Sequence, residues 1–332
     1  MHGTAARLPC PILAHQNLDV ETVAQTDGPR TTPAREAVVA ASREPLRCEY
    51  LMCAPHFLSN AVPNNPMMAD LARHFPRVDR PAALAQFEAV RHFVCRYAHV
   101  LLLPPVDGLQ DLAYVSNLGI CVQRETTRTI VLSNFRSEPR RGEEQVGRRF
   151  FRAQGLRTLM APRYFEGEAD LKRLGAACYV GAYGLRTSRA MLRWFARRFD
   201  VEVLECELTN PYLYHLDCVL MPLGDEMLVA TEQVRPDTLR ELEKRIGIVH
   251  VPTRAALAGA TSCLELAGHL LCDDNRALFA QLPELYAFEE EKLQFLQALC
   301  PGRKLTLVPF PMTEFIKSGA SMSCLFMALG QT

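Results

Sequence analysis

Three short segments of the chain carry side chains that could act together in nucleophilic chemistry. Cys324 follows a loop of small residues, and His215 lies in the segment YLYHLD beside Asp217. Glu166 and Asp170 lie in the glycine-containing segment FEGEAD. A cysteine is a good nucleophile when its thiolate is favoured, and a histidine can carry the proton of attack and departure. The set therefore indicates covalent catalysis by a thiol, with a histidine as general acid and base.

The carboxylates in this set restrict the kind of substrate. Several carboxylates around one thiol oppose its ionisation unless a cation lies among them, and a cationic substrate would supply that charge. A guanidinium fits well, because it is planar, permanently charged and able to pair with a carboxylate through two hydrogen bonds. Each residue taken alone has an ordinary structural explanation, as a buried thiol, a structural histidine or a solvated acid. The prediction depends on their occurring together.

The elements that would position these residues form a repeat. A helical pattern followed by an apolar strand pattern occurs five times, with the helices expected to begin near residues 81, 142, 188, 235 and 283. The unit recurs about every 47 residues, which is typical of repeated αβ modules. The polar segments follow the apolar strands of successive modules. Five modules could form a long stack or a closed ring, and in a ring these segments would meet at one central site. On a strand, the H-x-D spacing would also place His215 and Asp217 on one face.

Length, charge and cysteine usage exclude several classes of protein. The 332-residue chain carries 37 Lys and Arg and 37 Asp and Glu, so it lacks the basic excess of proteins that neutralise nucleic-acid phosphates. No apolar run reaches the length of about 18 residues that a membrane-spanning helix needs, and no secretory signal is evident. None of the 12 cysteines forms a CxxC pair. We therefore expect reduced cysteines, a cytoplasmic location and no bound metal.

The domain organisation follows from where the periodicity begins. Residues 1–46 show little periodicity and contain DGPR and TTPAR, so they are predicted to form a flexible N-terminal extension. The apolar run RCEYLMCAP opens the ordered part. We expect a single catalytic domain over residues 47–332.

Seven segments occur in order along the chain: LMCAPHF with NNPMM, LQDLAYVSNLGI, SNFRSEPRRGEE, FEGEADLK, GAYGLRTS, YHLDCVLMPL and TEFIKSGASMSC. Together they resemble segments of the guanidino-group-modifying enzymes, a superfamily that includes arginine deiminases, dimethylarginine hydrolases and amidinotransferases. Within it the chain looks most like the bacterial arginine dihydrolases. The resemblance spans residues 50 to 328 and implies an α/β fold, namely the pentein-like fivefold pseudosymmetric α/β propeller of repeated ββαβ-type modules.

The resemblance also implies roles for individual residues. Cys324 matches the nucleophile and His215 the general acid and base, and the matching acids hold the guanidinium or orient the histidine. The sequence departs from the family pattern at Met67, at Glu168 and in the loop that begins at Gly319. The implied catalytic residues are Cys324, His215, Glu166 and Asp217, and the implied substrate-binding residues are Asp170, Asn65, Asn117 and Arg136, the last as partner of the substrate α-carboxylate.

The implied reaction is the covalent hydrolysis of arginine to ornithine, ammonia and carbon dioxide, without a cofactor. Two alternatives stay open. The same fold also carries amidinotransferases, deiminases and dimethylarginine hydrolases, and a non-catalytic guanidine-binding regulatory protein could retain the same pocket. The expected partner is a small guanidino substrate, with neither nucleic acid nor membrane; homo-oligomerisation is left open.

Overall fold

The structure, a computed structural model, describes residues 48–124 and 127–331. The predicted N-terminal extension, residues 1–46, lies outside the described residues. The strands are β1 Cys48–Cys53, β2 Ala98–Leu103, β3 Gly119–Arg124, β4 Thr127–Leu132, β5 Arg157–Met160, β6 Leu171–Arg173, β7 Cys178–Tyr183, β8 Glu202–Glu207, β9 Leu220–Leu223, β10 Glu226–Val229, β11 Gly247–His250, β12 Leu264–Leu266, β13 His269–Asp274, β14 Thr306–Pro311 and β15 Met327–Gln331. The helices are α1 Pro66–Leu71, α2 Arg80–Val94, α3 Glu143–Ala153, α4 Arg189–Phe199, α5 Pro236–Glu243, α6 Thr253–Leu257, α7 Pro283–Leu299 and α8 Thr313–Ile316.

The strands form five three-stranded sheets of one design. In β3–β4–α3–β5, the first two strands pair antiparallel and the last pairs parallel to the middle strand after a helical crossover. The same order recurs in β6–β7–α4–β8, β9–β10–α5–β11 and β12–β13–α7–β14. The predicted ββαβ module is therefore confirmed.

The two ends of the described chain close the ring. The last strand, β15, pairs antiparallel with β1, with Met327 opposite Leu51, while β2 pairs parallel with β1 on its other side. The first module thus takes its innermost strand from the C-terminal end of the chain. The repeat is therefore closed into a ring rather than extended as a stack, and the closure completes the fivefold propeller that the resemblance implied.

The five repeat helices begin where the sequence pattern predicts, because local signals at their first turns specify them. Asp79 Oδ1 accepts the amide of Ala82 at the start of α2, and the Ser188 hydroxyl caps α4. Proline occupies the first turn of α2, α5 and α7, where its missing N–H costs nothing. The outer helices pack onto the sheets through fully buried side chains such as Phe87, Phe151 and Phe195.

One local expectation is wrong. The segment around His215 is not a strand, because Leu216–Cys218 forms a 3-10 helix in which the Cys218 amide bonds the His215 carbonyl. His215 and Asp217 therefore do not share a strand face. Of the cysteines in β7 and β8, Cys206 is buried, whereas Cys178 is half-buried. Within residues 48–124 and 127–331, no helix is long and apolar enough to cross a membrane.

Candidate active site

Four of the predicted site residues lie in or next to equivalent turns of four different modules. Asn117, Glu166, His215 and Cys324 each lie in, or directly before, a 3-10 turn that ends two residues ahead of a module's innermost strand. Ring symmetry therefore brings these turns together around the axis. The turns are Val115–Asn117, Gly167–Ala169, Leu216–Cys218 and Met322–Leu325.

Residues in or directly before three of these turns line a small cavity of about 20 Å³, here called the front pocket. Glu166 contacts His215 but is not part of the lining. Cys324, His215 and Asn117 all line it, although the residues are far apart in the sequence. The remaining lining residues are Asn64, Tyr114, Arg140, Arg186, Tyr214, Ser318, Gly319 and Ala320.

The best-defined contact of the site joins His215 to Glu166. Both side chains are buried, and His215 Nε2 lies 2.8 Å from Glu166 Oε2. The Asn117 amide nitrogen lies 3.4 Å from the same imidazole nitrogen, and the Tyr214 ring packs beside the histidine with 4.6 Å between centroids. A buried carboxylate on one ring nitrogen orients the imidazole and stabilises its protonated form.

Arg186 supplies the positive charge that balances Glu166. Its Nη1 lies 3.0 and 3.3 Å from the two carboxylate oxygens, and Nη2 donates to the Asn64 carbonyl at 2.6 Å. The guanidinium also stacks on the Tyr214 ring at 4.6 Å. Burial opposes ionisation of Glu166, but the charges of Arg186 and His215 overcome it and lower the carboxyl pKa to about 2. Glu166 is therefore ionised at neutral pH.

The surroundings of the Cys324 thiol oppose its ionisation. Burial raises its pKa to about 12, and the negative charge of Asp217 adds to the effect. The Cys324 amide donates to the Ser321 carbonyl at 3.2 Å, which fixes the turn. Ionisation of the thiol thus requires added positive charge near the sulfur or transfer of its proton to a base.

The two remaining predicted acids lie around the front pocket rather than on its surface. Asp170 is buried, and its carboxylate accepts the Leu216 amide at 3.2 Å and the Thr187 hydroxyl at 2.7 Å. It therefore supports the turn that carries the histidine. Asp217 accepts the Ser323 hydroxyl at 3.0 Å, on the side of the turn that faces away from the front pocket.

Asn65 and Arg136 do not line the front pocket. Asn65 caps α1, because its Oδ1 accepts the Met68 amide at 2.8 Å. Its Nδ2 donates to Asn64 Oδ1 and to the Tyr214 hydroxyl, so its amide is fully used within the protein. Arg136 is exposed and donates to the Leu185 carbonyl at 2.9 Å.

Several residues of the site were missed by sequence reasoning. Arg186 stands in the segment GAYGLRTS, and Asn64 immediately precedes Asn65, so both lay inside segments that carried the resemblance. Arg140 is buried with Glu143 and donates to the carbonyls of Asp111 and Tyr114. An arginine in a glycine-containing loop was the available signal for Arg186. For the part of the chain that is described, no cluster of His, Cys, Asp or Glu could hold a metal ion.

No family model matches the chain, whereas comparison with individual proteins gives relatives. The bifunctional arginine dihydrolase/ornithine cyclodeaminase AgrE of Nostoc sp. is 26% identical over 283 residues, covering 84% of this chain and 37% of AgrE. The dimethylarginine dimethylaminohydrolase of Mycobacterium tuberculosis is 31% identical over 189 residues, covering 57% of this chain and 60% of that protein. The chain thus spans less than two thirds of the length of either relative.

Solved structures of the same group share the fold. The N-terminal domain of ArgZ bound to product, described as an arginine dihydrolase, has a TM-score of 0.73 at 23% identity, over 85% of this chain and 97% of that domain. The complex of AgrE with ornithine and NAD+ has a TM-score of 0.74 at 23% identity, over 86% of this chain and 40% of AgrE.

Five ββαβ modules in a closed ring, with cysteine, histidine and glutamate around the axis, define a pentein-type α/β propeller. The chain is similar in sequence to arginine dihydrolases and to a dimethylarginine hydrolase, and it shares the fold of the solved arginine dihydrolase structures.

Proposed function

We propose that this chain is a cysteine-dependent hydrolase of the guanidino group of arginine or a close analogue. Its proposed reaction takes arginine through two hydrolytic cycles to ornithine, carbon dioxide and two ammonia. The observation that carries the proposal is that His215, which lines the front pocket together with Cys324, also lies 2.8 Å from the buried carboxylate of Glu166. The name arginine dihydrolase borne by AgrE and ArgZ supports it.

The first cycle begins when a cationic guanidinium enters beside Cys324. Its positive charge favours the thiolate, and the thiol proton passes to His215. The sulfur attacks the central guanidinium carbon, and a C–N bond breaks as His215 protonates the departing ammonia. His215 then takes a proton from water, which attacks the amidino-thioether; the C–S bond breaks, and a ureido group remains.

The second cycle repeats the attack on the ureido carbon. Ammonia leaves again, water cleaves the thioester-like intermediate, and the resulting carbamate breaks down to ornithine and carbon dioxide. Over both cycles, arginine and two water molecules give ornithine, carbon dioxide and two ammonia. Each step uses only the thiol, the imidazole and water, so the proposal includes no cofactor.

The proposed roles of the other residues follow their contacts. Glu166 orients His215 and stabilises its protonated form, and Asn117 presents an amide to the reacting group. Asp170 supports the His215 turn, and Asp217 acts on the thiol through its charge. Asn65 acts through Asn64 and Tyr214, whereas Arg136 is proposed only as a partner of the substrate carboxylate at the protein surface.

A dimethylarginine hydrolase is the second candidate, because the 31% identical relative bears that activity in its name. The two candidates, and the deiminase and amidinotransferase alternatives, differ in their products. Incubating the protein with arginine, citrulline, agmatine or dimethylarginine, with and without an amine acceptor, and resolving products by mass distinguishes them. Ornithine with two ammonia per arginine supports the dihydrolase; citrulline alone, a methylamine or a transferred amidino group supports one of the others.

The proposal places the protein in the cytoplasm with a small guanidino substrate as its partner. None of the cysteines in the described ranges forms a disulfide, which suits a reducing compartment. Homo-oligomerisation stays open, and sedimentation of the purified chain would decide it.

A further inference from the structure

A second and much larger cavity, here called the axial cavity, lies on the ring axis behind the front pocket. Its volume is about 420 Å³. The innermost strand of each of the five modules contributes to its wall, as only a cavity on the axis allows. Each of these strands places at least one residue in the lining: Cys121 of β3, Lys172 of β6, Met221 of β9, Glu265 of β12 and Ala328 of β15.

A thin wall separates the axial cavity from the front pocket. Ser323 lines the axial cavity, whereas the next residue, Cys324, lines the front pocket. Likewise, Asp217 lines the axial cavity, whereas His215 lines the front pocket. The hydrogen bond from the Ser323 hydroxyl to Asp217 Oδ2, 3.0 Å long, closes the wall between the two turns. The nucleophile therefore stands between two cavities.

The front pocket leaves little room for small molecules beside a substrate. Its free volume of about 20 Å³ is that of about one water molecule. A bound amino acid would occupy this volume and the approach to it. Each proposed hydrolytic cycle nevertheless requires ammonia to leave and water to arrive while the amidino or ureido carbon is attached to Cys324.

The axial cavity has a lining suited to water and to ammonia. Glu168, Asp217 and Glu265 contribute carboxylates, and Lys172 and Arg173 contribute cations. Glu168 Oε2 accepts the Ala328 amide at 3.0 Å, and burial raises the pKa of its carboxyl to about 7. A carboxyl that titrates near neutrality can both accept and return a proton along such a route.

We propose that the axial cavity is a second port of the active site, through which water enters and ammonia leaves while the amino-acid part of the substrate fills the front pocket. The inference rests on the proposed function, since it needs a reaction that exchanges one ammonia for one water in each cycle. In each exchange a C–N bond breaks to release ammonia, and water then replaces sulfur on the same carbon. The Ser323–Asp217 contact is the point where the passage opens.

The proposal is tested with a substitution that narrows the axial cavity and leaves every residue of the front pocket unchanged. Ala328 is exposed and lines the axial cavity, so Ala328→Phe adds bulk there. Ala89→Phe makes the same change on the exposed face of α2 and serves as the control. For each protein, kcat and KM with arginine are measured, and acid-quenched samples taken during turnover are weighed for a covalent adduct on Cys324.

The expected result for Ala328→Phe is a kcat about tenfold lower, a KM within about twofold of wild type and a larger adduct fraction. Ala89→Phe should match wild type. The proposal of a second port would be wrong if folded Ala328→Phe had the kcat and the adduct fraction of wild type. It would also be wrong if the variant raised KM and left kcat unchanged. If Ala328→Phe does not fold, Ala328→Leu places a smaller obstruction at the same position and is judged by the same criteria. A wild-type protein that releases no ammonia from any guanidino compound overturns the proposed function itself, which is a distinct outcome.

Discussion

His215 Nε2 and Glu166 Oε2 lie 2.8 Å apart, although their residues are 49 positions apart in the chain. Because an ionised carboxylate only accepts hydrogen bonds, this contact places a proton on Nε2 of the imidazole. Arg186 holds the same carboxylate from its other side. In the site, the Glu166 carboxylate therefore lies between two basic side chains, Arg186 and His215.

Cys324→Ser is expected to lower turnover of arginine at least about a thousandfold, because an alcohol lacks the thiolate nucleophile. Folding should be retained, since the side chain is half-buried and its amide makes the turn contact. Ornithine and ammonia formation, with circular dichroism of the same samples, checks both points.

Cys206→Ala is the matched control among the cysteines. Cys206 is fully buried in β8, so its truncation should cost about 1–2 kcal/mol of unfolding free energy and leave kcat unchanged. If Cys206→Ala abolished turnover and Cys324→Ser did not, the nucleophile would be wrongly assigned.

Alkylation of Cys324 by iodoacetamide should be slow at pH 7 and rise continuously beyond pH 10. The reason is that burial and the charge of Asp217 raise the thiol pKa to about 12, so the thiolate fraction grows with pH over this range. An arginine analogue that carries a guanidinium but does not react, added at a saturating concentration, should increase the thiolate fraction at pH 7, because a nearby cation lowers the pKa of a thiol. The thiolate is measured by its absorbance near 240 nm. A rate that levels off near pH 8 would contradict the raised pKa.

Glu166→Gln is expected to destabilise the protein at pH 7 and to weaken its acid sensitivity. The folded carboxyl has a pKa of about 2 against an ordinary 4.5, so its ionised form stabilises the fold above pH 4.5, and this contribution is lost as the pH falls toward 2. The contribution is about 3 kcal/mol at neutral pH. Urea unfolding of both proteins between pH 2 and pH 7 measures the difference.

The control for this experiment is Glu243→Gln, at an exposed position of α5. Its unfolding curve should follow that of wild type. If the stability gap between wild type and Glu166→Gln stayed constant from pH 7 to pH 2, the lowered pKa of Glu166 would not be the source of the effect.

Asn117→Asp should shift the product from ornithine toward citrulline. A neutral ureido group needs a partner that both donates and accepts hydrogen bonds, which an amide does and a carboxylate does not. The Asn117 amide nitrogen lies 3.4 Å from His215 Nε2, and both residues line the front pocket. The ratio of ammonia to arginine consumed should fall from about two toward about one. A wild-type ratio of about one, with citrulline alone, would replace the dihydrolase with a deiminase.

The sequence by itself determined the modules and the residues that begin them. Helix periodicity, first-turn prolines and caps such as Asp79 and Ser188 act within a few residues, so their effect is readable without knowing the tertiary structure. The placement of Cys324 just before the last strand was readable for the same reason. The fivefold repeat followed from self-similarity, and ring closure by β15 on β1 agrees with it.

The tertiary structure decided which side chains meet and which charges are already balanced. Arg186 neutralises Glu166 from a different loop, and Asn64 rather than Asn65 lines the front pocket, because helix capping uses the Asn65 amide. Asp217 lies on the axial side because its turn is a 3-10 helix and not a strand. Such contacts depend on the relative positions of modules that are far apart in the chain, and no local pattern of residue types encodes them.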